Sequence, residues 1–209
     1  SNPGLDIIDL KKIAAITKRH SILFAVDNCF ATPLLQRPID FGADVTIHSA
    51  TKYIDGQGRT LGGLILSSFE IIEKVKAFAR HTGPALSPFN AWTLSKSLET
   101  LDVRMERHCK NALEIANRLE GHEAIEWVKY PFLKSHPQYE IAIKQMKKGG
   151  GIVSFELKGG LEAGRKFLDQ LNLFSLTANL GDTRSIATHP ASTTHSKLTS
   201  EQRLEVGIT

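Results

Sequence analysis

The sequence predicts an α/β protein with a mainly parallel sheet, followed by a smaller α+β domain. In the first third, three short apolar runs, ILFAV at residues 22–26, VTI at 45–47 and LIL at 64–66, each lead into polar or glycine-rich segments. Apolar residues at helical spacing accompany these runs. Beyond about residue 106 the apolar signals become shorter and mixed. Strands that alternate with helices are typical of a sheet whose ligand groups lie at the carboxyl ends of its strands.

The elements of the first third follow from this pattern. Asp6 is expected to cap a helix, because the apolar residues after it recur at helical spacing; they are Ile7, Leu10, Ile13, Ala14 and Ile16. The run at 22–26 predicts a strand buried on both faces, which ends at Asp27. Pro33, Pro38 and Gly42 interrupt the chain before the second strand.

The middle of the chain predicts one long helix. Residues 89–119 contain almost no helix breaker, and at 1.5 Å per residue they would span roughly 45 Å. Such a helix exceeds one compact layer, so we expect it to join two domains, residues 1–105 and 106–209. In the second domain the pattern predicts strands at 152–157 and 173–178 and a helix at 162–171.

Composition excludes several classes of protein. Of the 209 residues, 41% are hydrophobic and 23% charged, which is ordinary for a globular protein and unlike disordered, collagenous or coiled-coil chains. No run of eighteen apolar residues predicts a membrane helix. The net charge of +4 is dispersed, and the densest basic cluster, at residues 144–148, lacks interleaved aromatics, so no nucleic-acid partner is expected.

The cysteines and histidines predict neither a disulfide framework nor a metal site. Cys29 and Cys109 cannot build a disulfide framework, and a reduced, cytoplasmic protein is the favoured interpretation, although one bridge between them stays open. His189 and His195 lie six residues apart without a carboxylate or cysteine at ligand spacing, so no metal site is expected.

Chemistry is concentrated at the ends of two predicted strands. Asp27 ends the first, and Ser49, Thr51 and Lys52 follow the second. Hydroxyls and backbone amides beyond a strand suit a phosphate dianion, and a lysine held there can act as an amine nucleophile. Pyridoxal phosphate would use all of these groups: its ring nitrogen takes a carboxylate, its phosphate takes hydroxyls and its aldehyde condenses with a lysine.

Other interpretations of the same residues stay open at this point. Taken singly, Lys52 is an ordinary surface charge, Asp27 a turn residue, and the hydroxyls caps of a helix. Ser49 and Lys52 also fit the Ser-x-x-Lys pattern of serine acyl-transfer enzymes, but the Ser-Asp-Asn and Lys-Thr-Gly tripeptides of that class do not occur. A non-catalytic chain that only binds cofactor weakly or contributes an oligomer surface is a further alternative.

Longer motifs identify a family. They are VDN at 26–28, Pro33, GAD at 42–44, HSATKY at 48–53, SPF at 87–89, RMERH at 104–108, NLGDTR at 179–184 and THPASTTH at 188–195. Together they resemble the cystathionine γ-synthase-like family, the pyridoxal-phosphate enzymes of Cys/Met metabolism, over essentially the whole chain. The resemblance implies an aspartate-aminotransferase-like fold, with residues 1–105 forming the later part of the cofactor domain and 106–209 most of the small domain.

The resemblance also implies a role for each matching residue. Lys52 would condense with the cofactor and later move protons on the substrate, and Asp27 would keep the cofactor's ring nitrogen protonated. Ser49 and Thr51 would bind the phosphate. Two asparagines complete the set, Asn2 at the cofactor's 3′-oxygen and Asn179 at the substrate's α-carboxylate.

Within the family the motifs look most like the sulfhydrylases that use O-succinylhomoserine. Residues 56–59 read GQGR where lyases read Gly-His-Ser-Asp, and residues 179–182 read NLGD where lyases read Ser-Leu-Gly-Gly. The implied reaction is γ-replacement of succinate by sulfide, giving homocysteine. Cystathionine γ-synthase, O-acetylhomoserine sulfhydrylase and γ-lyase activities stay open. Arg59 would meet the distal succinyl carboxylate or a phosphate, or form a structural ion pair.

Some of the family pattern is missing from the chain. The substrate-binding arginine, the aromatic that stacks on the cofactor ring, the phosphate-binding amides and the residues lent by a neighbouring subunit have no counterpart here, although residues 204–209 resemble the approach to the arginine. We therefore expect a fragment of a homotetrameric enzyme with shared active sites, and little or no turnover by the 209 residues alone.

Overall fold

The computed structural model describes residues 4–193, 195–205 and 207–208. Over these residues the chain forms eight α-helices and seven strands. The helices are α1 Leu10–Arg19, α2 Thr32–Leu35, α3 Phe69–Thr82, α4 Pro88–Leu98, α5 Leu101–Leu119, α6 Tyr139–Gln145, α7 Gly160–Asp169 and α8 Ser200–Glu205. The strands are β1 Ala25–Asp27, β2 Val45–Ser49, β3 Gly63–Ser67, β4 Ile125–Lys129, β5 Ser154–Leu157, β6 Ser175–Leu176 and β7 Ile186–Ala187.

The first sheet places the chemistry predicted from the sequence at one edge. Its strand order is β1-β2-β3, with β1 and β2 parallel and β2 and β3 antiparallel. Asp27 pairs with Ile47 and Ser49 pairs with Gly63, so Asp27 and Ser49 lie at the same end of neighbouring strands. The two smaller sheets are the antiparallel pair β4-β5 and the parallel pair β6-β7.

Two predictions for the first third are wrong in detail. The first helix begins at Leu10, and its cap is Asp9, whose side chain accepts a hydrogen bond from Lys12 N, so Asp6 does not cap it. The run at 22–26 is not buried on both faces, because Ile22 and Leu23 are 59% and 66% exposed and only its last two residues join β1. No described element covers these side chains, so apolar composition alone did not indicate burial here.

The single helix predicted for residues 89–119 is two helices. α4 ends at Leu98 and α5 begins at Leu101, with Thr100 as the N-cap residue in a non-helical conformation. The carbonyl of Ser97, at the end of α4, accepts hydrogen bonds from Thr100 N at 3.2 Å and from the Arg104 side chain at 2.9 Å. Helix ends need such partners, and no glycine or proline at residues 99–100 announces the break.

Helix α5 joins two hydrophobic cores. Its first half contributes Leu101, Met105 and Cys109 to a core that also contains Tyr53, the residue after Lys52. Its second half contributes to another core, which consists of Ala112, Ala116, Tyr130 and Leu133. Helix α5 thus contributes to both cores, and the division into domains of residues 1–105 and 106–209 stays a prediction.

The described residues contain neither a membrane-spanning helix nor a metal-binding cluster. Within the described part of the chain, no helix has the length and apolarity to cross a membrane. Among those residues, no group of three or more His, Cys, Asp or Glu side chains is placed to hold a metal ion.

Candidate active site

The candidate site begins at the carboxyl ends of β1 and β2. The parallel ladder continues one step past β1, since Asn28 N donates to Ile47 O at 2.8 Å. This pairing fixes Asp27 beside β2, and its carboxylate is exposed, with Oδ1 accepting from Cys29 N at 3.0 Å. Ser49 ends β2, and its side chain makes no capping bond to the turn that follows. An exposed carboxylate and a hydroxyl thus lie side by side at the sheet edge.

Lys52 lies in a tight turn of residues Ala50–Ile54 directly after β2. The amides of Ala50 and Thr51 both donate to Gly62 O, at 2.8 and 3.3 Å, which ties the start of the turn to β3. The Thr51 hydroxyl oxygen accepts from Gly62 N at 3.1 Å. At Lys52 the backbone leaves the helical region, with φ −86° and ψ −126°, so two short helical segments meet at this residue.

The lysine meets a residue far away in sequence. Its Nζ donates to Asn179 Oδ1 at 2.8 Å, although the two residues are 127 positions apart. Both side chains are half-buried. The structure therefore brings together the amine and the amide that the family resemblance assigned to cofactor and substrate.

Gly181 makes the close approach of these two segments possible. Its φ is +80°, and a Cβ at this position would lie 2.5 Å from Tyr53 N and 2.8 Å from the carbonyl carbon of Lys52. Thr183 N also donates to Gly56 O at 2.8 Å. A residue with a side chain at 181 would push the segment that carries Asn179 away from the lysine turn.

Arg59 is engaged in an ion pair inside the same loop. Its guanidinium lies 3.1 Å from Asp55, whose side chain is completely buried, and it donates to Ser97 Oγ at 2.5 Å. Asp55 Oδ2 also accepts from Arg59 N at 2.7 Å. The structural ion pair left open by the sequence is therefore present, and the Arg59 side chain remains 43% exposed.

Cys29 links the two strand ends, a role that the sequence did not indicate. Its sulfur accepts from Ser49 N, and its thiol is bonded to the Asp27 carboxylate. Burial, and after it the bond to Asp27, raise the pKa of this thiol to about 11, whereas the charge of Lys52 opposes the shift. The thiol is therefore neutral at pH 7, and it senses the charges of both Asp27 and Lys52.

The histidines near the site are neutral at pH 7. Burial lowers the pKa of His48, whose side chain lies near Asp27. Burial also lowers the pKa of His108, whose ring packs edge-on against that of Tyr53, with 5.4 Å between the ring centroids. Burial also raises the pKa of the Tyr53 hydroxyl.

The donor set fits pyridoxal phosphate. Asp27 offers an exposed carboxylate for a ring nitrogen, Ser49 a hydroxyl without a capping bond for a phosphate, and Lys52 an amine for an aldehyde. The Thr51 hydroxyl is shared with the backbone of Gly62. Asn2, predicted to contact the cofactor, lies outside the described residues, and its role stays a prediction.

Comparison with known proteins places the chain in a family. The model of the family described as Cys/Met metabolism PLP-dependent enzyme matches residues 1–209. An O-succinylhomoserine sulfhydrylase of Pseudomonas aeruginosa is 49% identical over 208 residues, which are 100% of this chain and 52% of that protein. An L-methionine gamma-lyase of Fusobacterium nucleatum is 46% identical over 212 residues, covering 100% of this chain and 54% of its own length.

Solved structures agree with this result. The cystathionine gamma synthase from Xanthomonas oryzae pv. oryzae, in complex with aminoacrylate and cysteine, superposes with a TM-score of 0.96 at 41% identity. That match covers 100% of this chain and 54% of the other chain, so this chain spans about half the length of the relatives it matches. The α/β fold of the fold-type-I, aspartate-aminotransferase-like class, predicted from the sequence, is confirmed.

Proposed function

Because the chain belongs to the family of PLP-dependent enzymes of Cys/Met metabolism, we propose that its protein catalyses γ-replacement on O-succinylhomoserine, with sulfide as the acceptor. The products would be homocysteine and succinate, a transferase step in methionine biosynthesis, and the protein would act in the cytoplasm. The 2.8 Å contact between Lys52 Nζ and Asn179 Oδ1 supports this proposal most directly. It joins the amine and the amide to which this proposal gives the proton transfer and the binding of the substrate's α-carboxylate.

Each residue has one task in this proposal. Bound pyridoxal phosphate supplies an aldehyde for amines and a ring that withdraws electrons from the substrate's Cα. Asp27 would hold the ring nitrogen protonated, and Ser49 and Thr51 would bind the phosphate. The Lys52 amine would take protons from the substrate's Cα and Cβ, so that succinate can leave Cγ, and would return them to Cβ and Cα after sulfide has added at Cγ. Asn179 would bind the substrate's α-carboxylate.

The choice of sulfhydrylase rests on similarity and on one residue. The sulfhydrylase relative is 49% identical, but the methionine gamma-lyase relative, at 46%, favours γ-elimination as a second candidate. Arg59 is our candidate for the succinyl carboxylate, because its side chain is 43% exposed although Asp55 and Ser97 hold its Nε and Nη2. Arg59→Lys should then raise KM for O-succinylhomoserine more than for O-acetylhomoserine. Equal effects on both esters would leave Arg59 with its ion pair alone.

Trapping the lysine tests the cofactor assignment. The complete gene product would be purified, scanned for visible absorbance, reduced with borohydride, and mapped by mass for a pyridoxyl group. We expect the label on Lys52, its loss in Lys52→Gln, and no change in Lys110→Gln, a substitution of an exposed lysine on α5. A label on another residue, or none, would refute the assignment.

Product analysis separates the candidate reactions. The same protein would receive O-succinyl- or O-acetylhomoserine with sulfide, cysteine or neither. Homocysteine from the succinyl ester and sulfide supports the proposal, cystathionine from cysteine indicates a synthase, and 2-oxobutanoate with ammonia as the main products indicates a lyase.

We also propose that the protein acts as a homo-oligomer. Large apolar side chains near the lysine turn are exposed, Leu61 at 74%, Phe89 at 71% and Trp92 at 59%. Asn90 bonds the backbone of Leu61, which holds these residues on one surface. Apolar patches of this kind mark interaction sites, and a second copy would cover them. Light scattering during size exclusion tests this, and a monomeric mass would refute it.

A further inference from the structure

Arg104 binds the turn that carries Lys52. It lies on α5, and its guanidinium donates to Tyr53 O at 2.6 Å and to Ile54 O at 3.3 Å. These are the carbonyls of the two residues that follow the lysine. The resemblance to the family included this arginine within a motif but gave it no task.

The same guanidinium is itself fixed by the break between α4 and α5. Its Nη2 donates to Ser97 O at 2.9 Å, and its Nε donates to Thr100 Oγ1 at 3.2 Å. One side chain therefore connects the end of α4, the start of α5 and the lysine turn. The planar fork of arginine suits this task, because its donors have a fixed relative geometry.

The bonds meet carbonyls that the turn cannot satisfy alone. Lys52 O accepts Gly56 N at 2.8 Å, and Ala50 O accepts Asp55 N at 2.8 Å, which leaves Tyr53 O and Ile54 O to Arg104. Both of these residues are buried. Buried carbonyls without partners are costly, so the arginine completes the hydrogen bonding of the turn.

The chain leaves space for this arrangement at Gly56. A Cβ at this residue would overlap Nη1 of Arg104, and its φ is +73°. Arg104 is half-buried, and its pKa is lowered by desolvation while the Asp55 carboxylate opposes that shift. An arginine stays charged under these conditions.

We propose that Arg104 is a positioning residue, which fixes the direction of Lys52 by holding the carbonyls of Tyr53 and Ile54. This role rests on the proposed function of Lys52. The backbone at Lys52 is not helical, so no regular helical ladder runs through it to fix its direction. Instead, the hydrogen bonds from Arg104 to Tyr53 O and Ile54 O, one and two residues after Lys52, fix the path of the backbone. A displacement of about 1 Å at a reacting group can cost about 100-fold in rate.

The test compares Arg104→Gln and Arg104→Lys with Arg107→Gln in the complete gene product loaded with cofactor. Arg107 is an exposed arginine one turn along α5 and serves as the control. Three quantities are measured: the melting temperature, the rate of borohydride trapping at Lys52, and the pH midpoint of the visible absorbance of the lysine-bound cofactor.

We expect Arg104→Gln to slow trapping about 10- to 100-fold and to move the pH midpoint. Arg104→Lys should recover only part of the rate, since an ammonium cannot reproduce the fork. The Arg107 variant should match the wild type. A lower melting temperature with unchanged trapping and an unchanged midpoint would show that Arg104 is merely structural and would overturn the proposal.

A second variant guards against misfolding. Thr100→Val removes the acceptor that orients Nε, together with the hydroxyl's bond to Ser97 O, which Thr100 N and Arg104 still contact. Thr100 is exposed, so this variant decides the question if Arg104→Gln does not fold. A moved midpoint supports the proposal, and an unchanged one overturns it. If the wild type carries no label on Lys52, the proposed function fails first, and the role of Arg104 fails with it.

Discussion

Gly181→Ala offers a direct measure of how tightly the two parts of the site pack. The residue has a φ of +80°, and an added Cβ would lie 2.5 Å from Tyr53 N. A left-handed conformation costs a residue with a Cβ about 1–2 kcal/mol, and overpacking typically adds about 1–3 kcal/mol. We therefore expect the free energy of unfolding to fall by about 2–5 kcal/mol, with Asn179 moved away from Lys52.

Gly121→Ala provides the matched control. Gly121 has almost the same φ, +79°, but nothing lies within 4 Å of the position that its Cβ would occupy. Urea unfolding of both variants in the complete gene product, with cofactor removed, separates the two costs. Gly121→Ala should lose only the backbone cost of about 1–2 kcal/mol. Equal losses in the two variants would refute the close contact between Gly181 and the lysine turn.

Three further predictions concern charge, packing and titration. Asp55→Asn removes the anion of a buried ion pair and should lower the free energy of unfolding by an amount toward the lower end of about 3–5 kcal/mol, because its partner Arg59 is partly exposed. Asp40→Asn disrupts an exposed pair and should cost under about 1 kcal/mol. Equal losses of the two variants in urea unfolding would contradict this prediction. Met105→Ala should lower the free energy of unfolding by about 2–5 kcal/mol, since this core residue is 1% exposed. Val103 lies on the same helix and is 67% exposed, so Val103→Ala should change that free energy by no more than about 0.5 kcal/mol. A similar loss in both variants would place Met105 outside the core. Cys29 should react with iodoacetamide about 100-fold more slowly at pH 8 than a thiol of pKa 9.0, because burial favours the neutral thiol. Its reaction rate should rise with pH toward its pKa of about 11. Peptide mass mapping measures the rate, and a reaction as fast as that of a free thiol would contradict the burial.

The strand-end residues of the site were predictable, because short-range patterns determine their places. Asp27 follows a run of apolar residues, and Ser49, Thr51 and Lys52 follow the next. Parallel pairing then brings both ends to one edge of the sheet. Asp55, the partner of Arg59, was not predicted, because the residues between them form a loop with positive-φ glycines at 56 and 58 and not a helical turn.

Contacts across the chain were beyond local patterns. Asn179 is 127 positions from Lys52, and only the family resemblance connected the two. Arg104 had an ordinary helical context, and its bonds to Tyr53 O depend on how α5 packs against the turn. The break before α5 was missed as well, because residues 99–100 contain no glycine or proline, and the additional Arg104 bond to Ser97 O joins α5 to the end of α4.

The strength of the contacts indicates which one fixes the lysine turn. Gly62 O accepts two neutral amide bonds at the start of the turn, and Gly181 contributes packing at its centre. Neutral hydrogen bonds each contribute about 0.5–1.5 kcal/mol, and bonds to charged groups about 1.5–3 kcal/mol. Arg104 makes two charged bonds to the turn, and both meet carbonyls of buried residues. Removal of the Arg104 side chain should therefore displace Lys52 more than loss of a Gly62 bond or of the packing at Gly181. The loss of either bond to Gly62 O leaves the other in place.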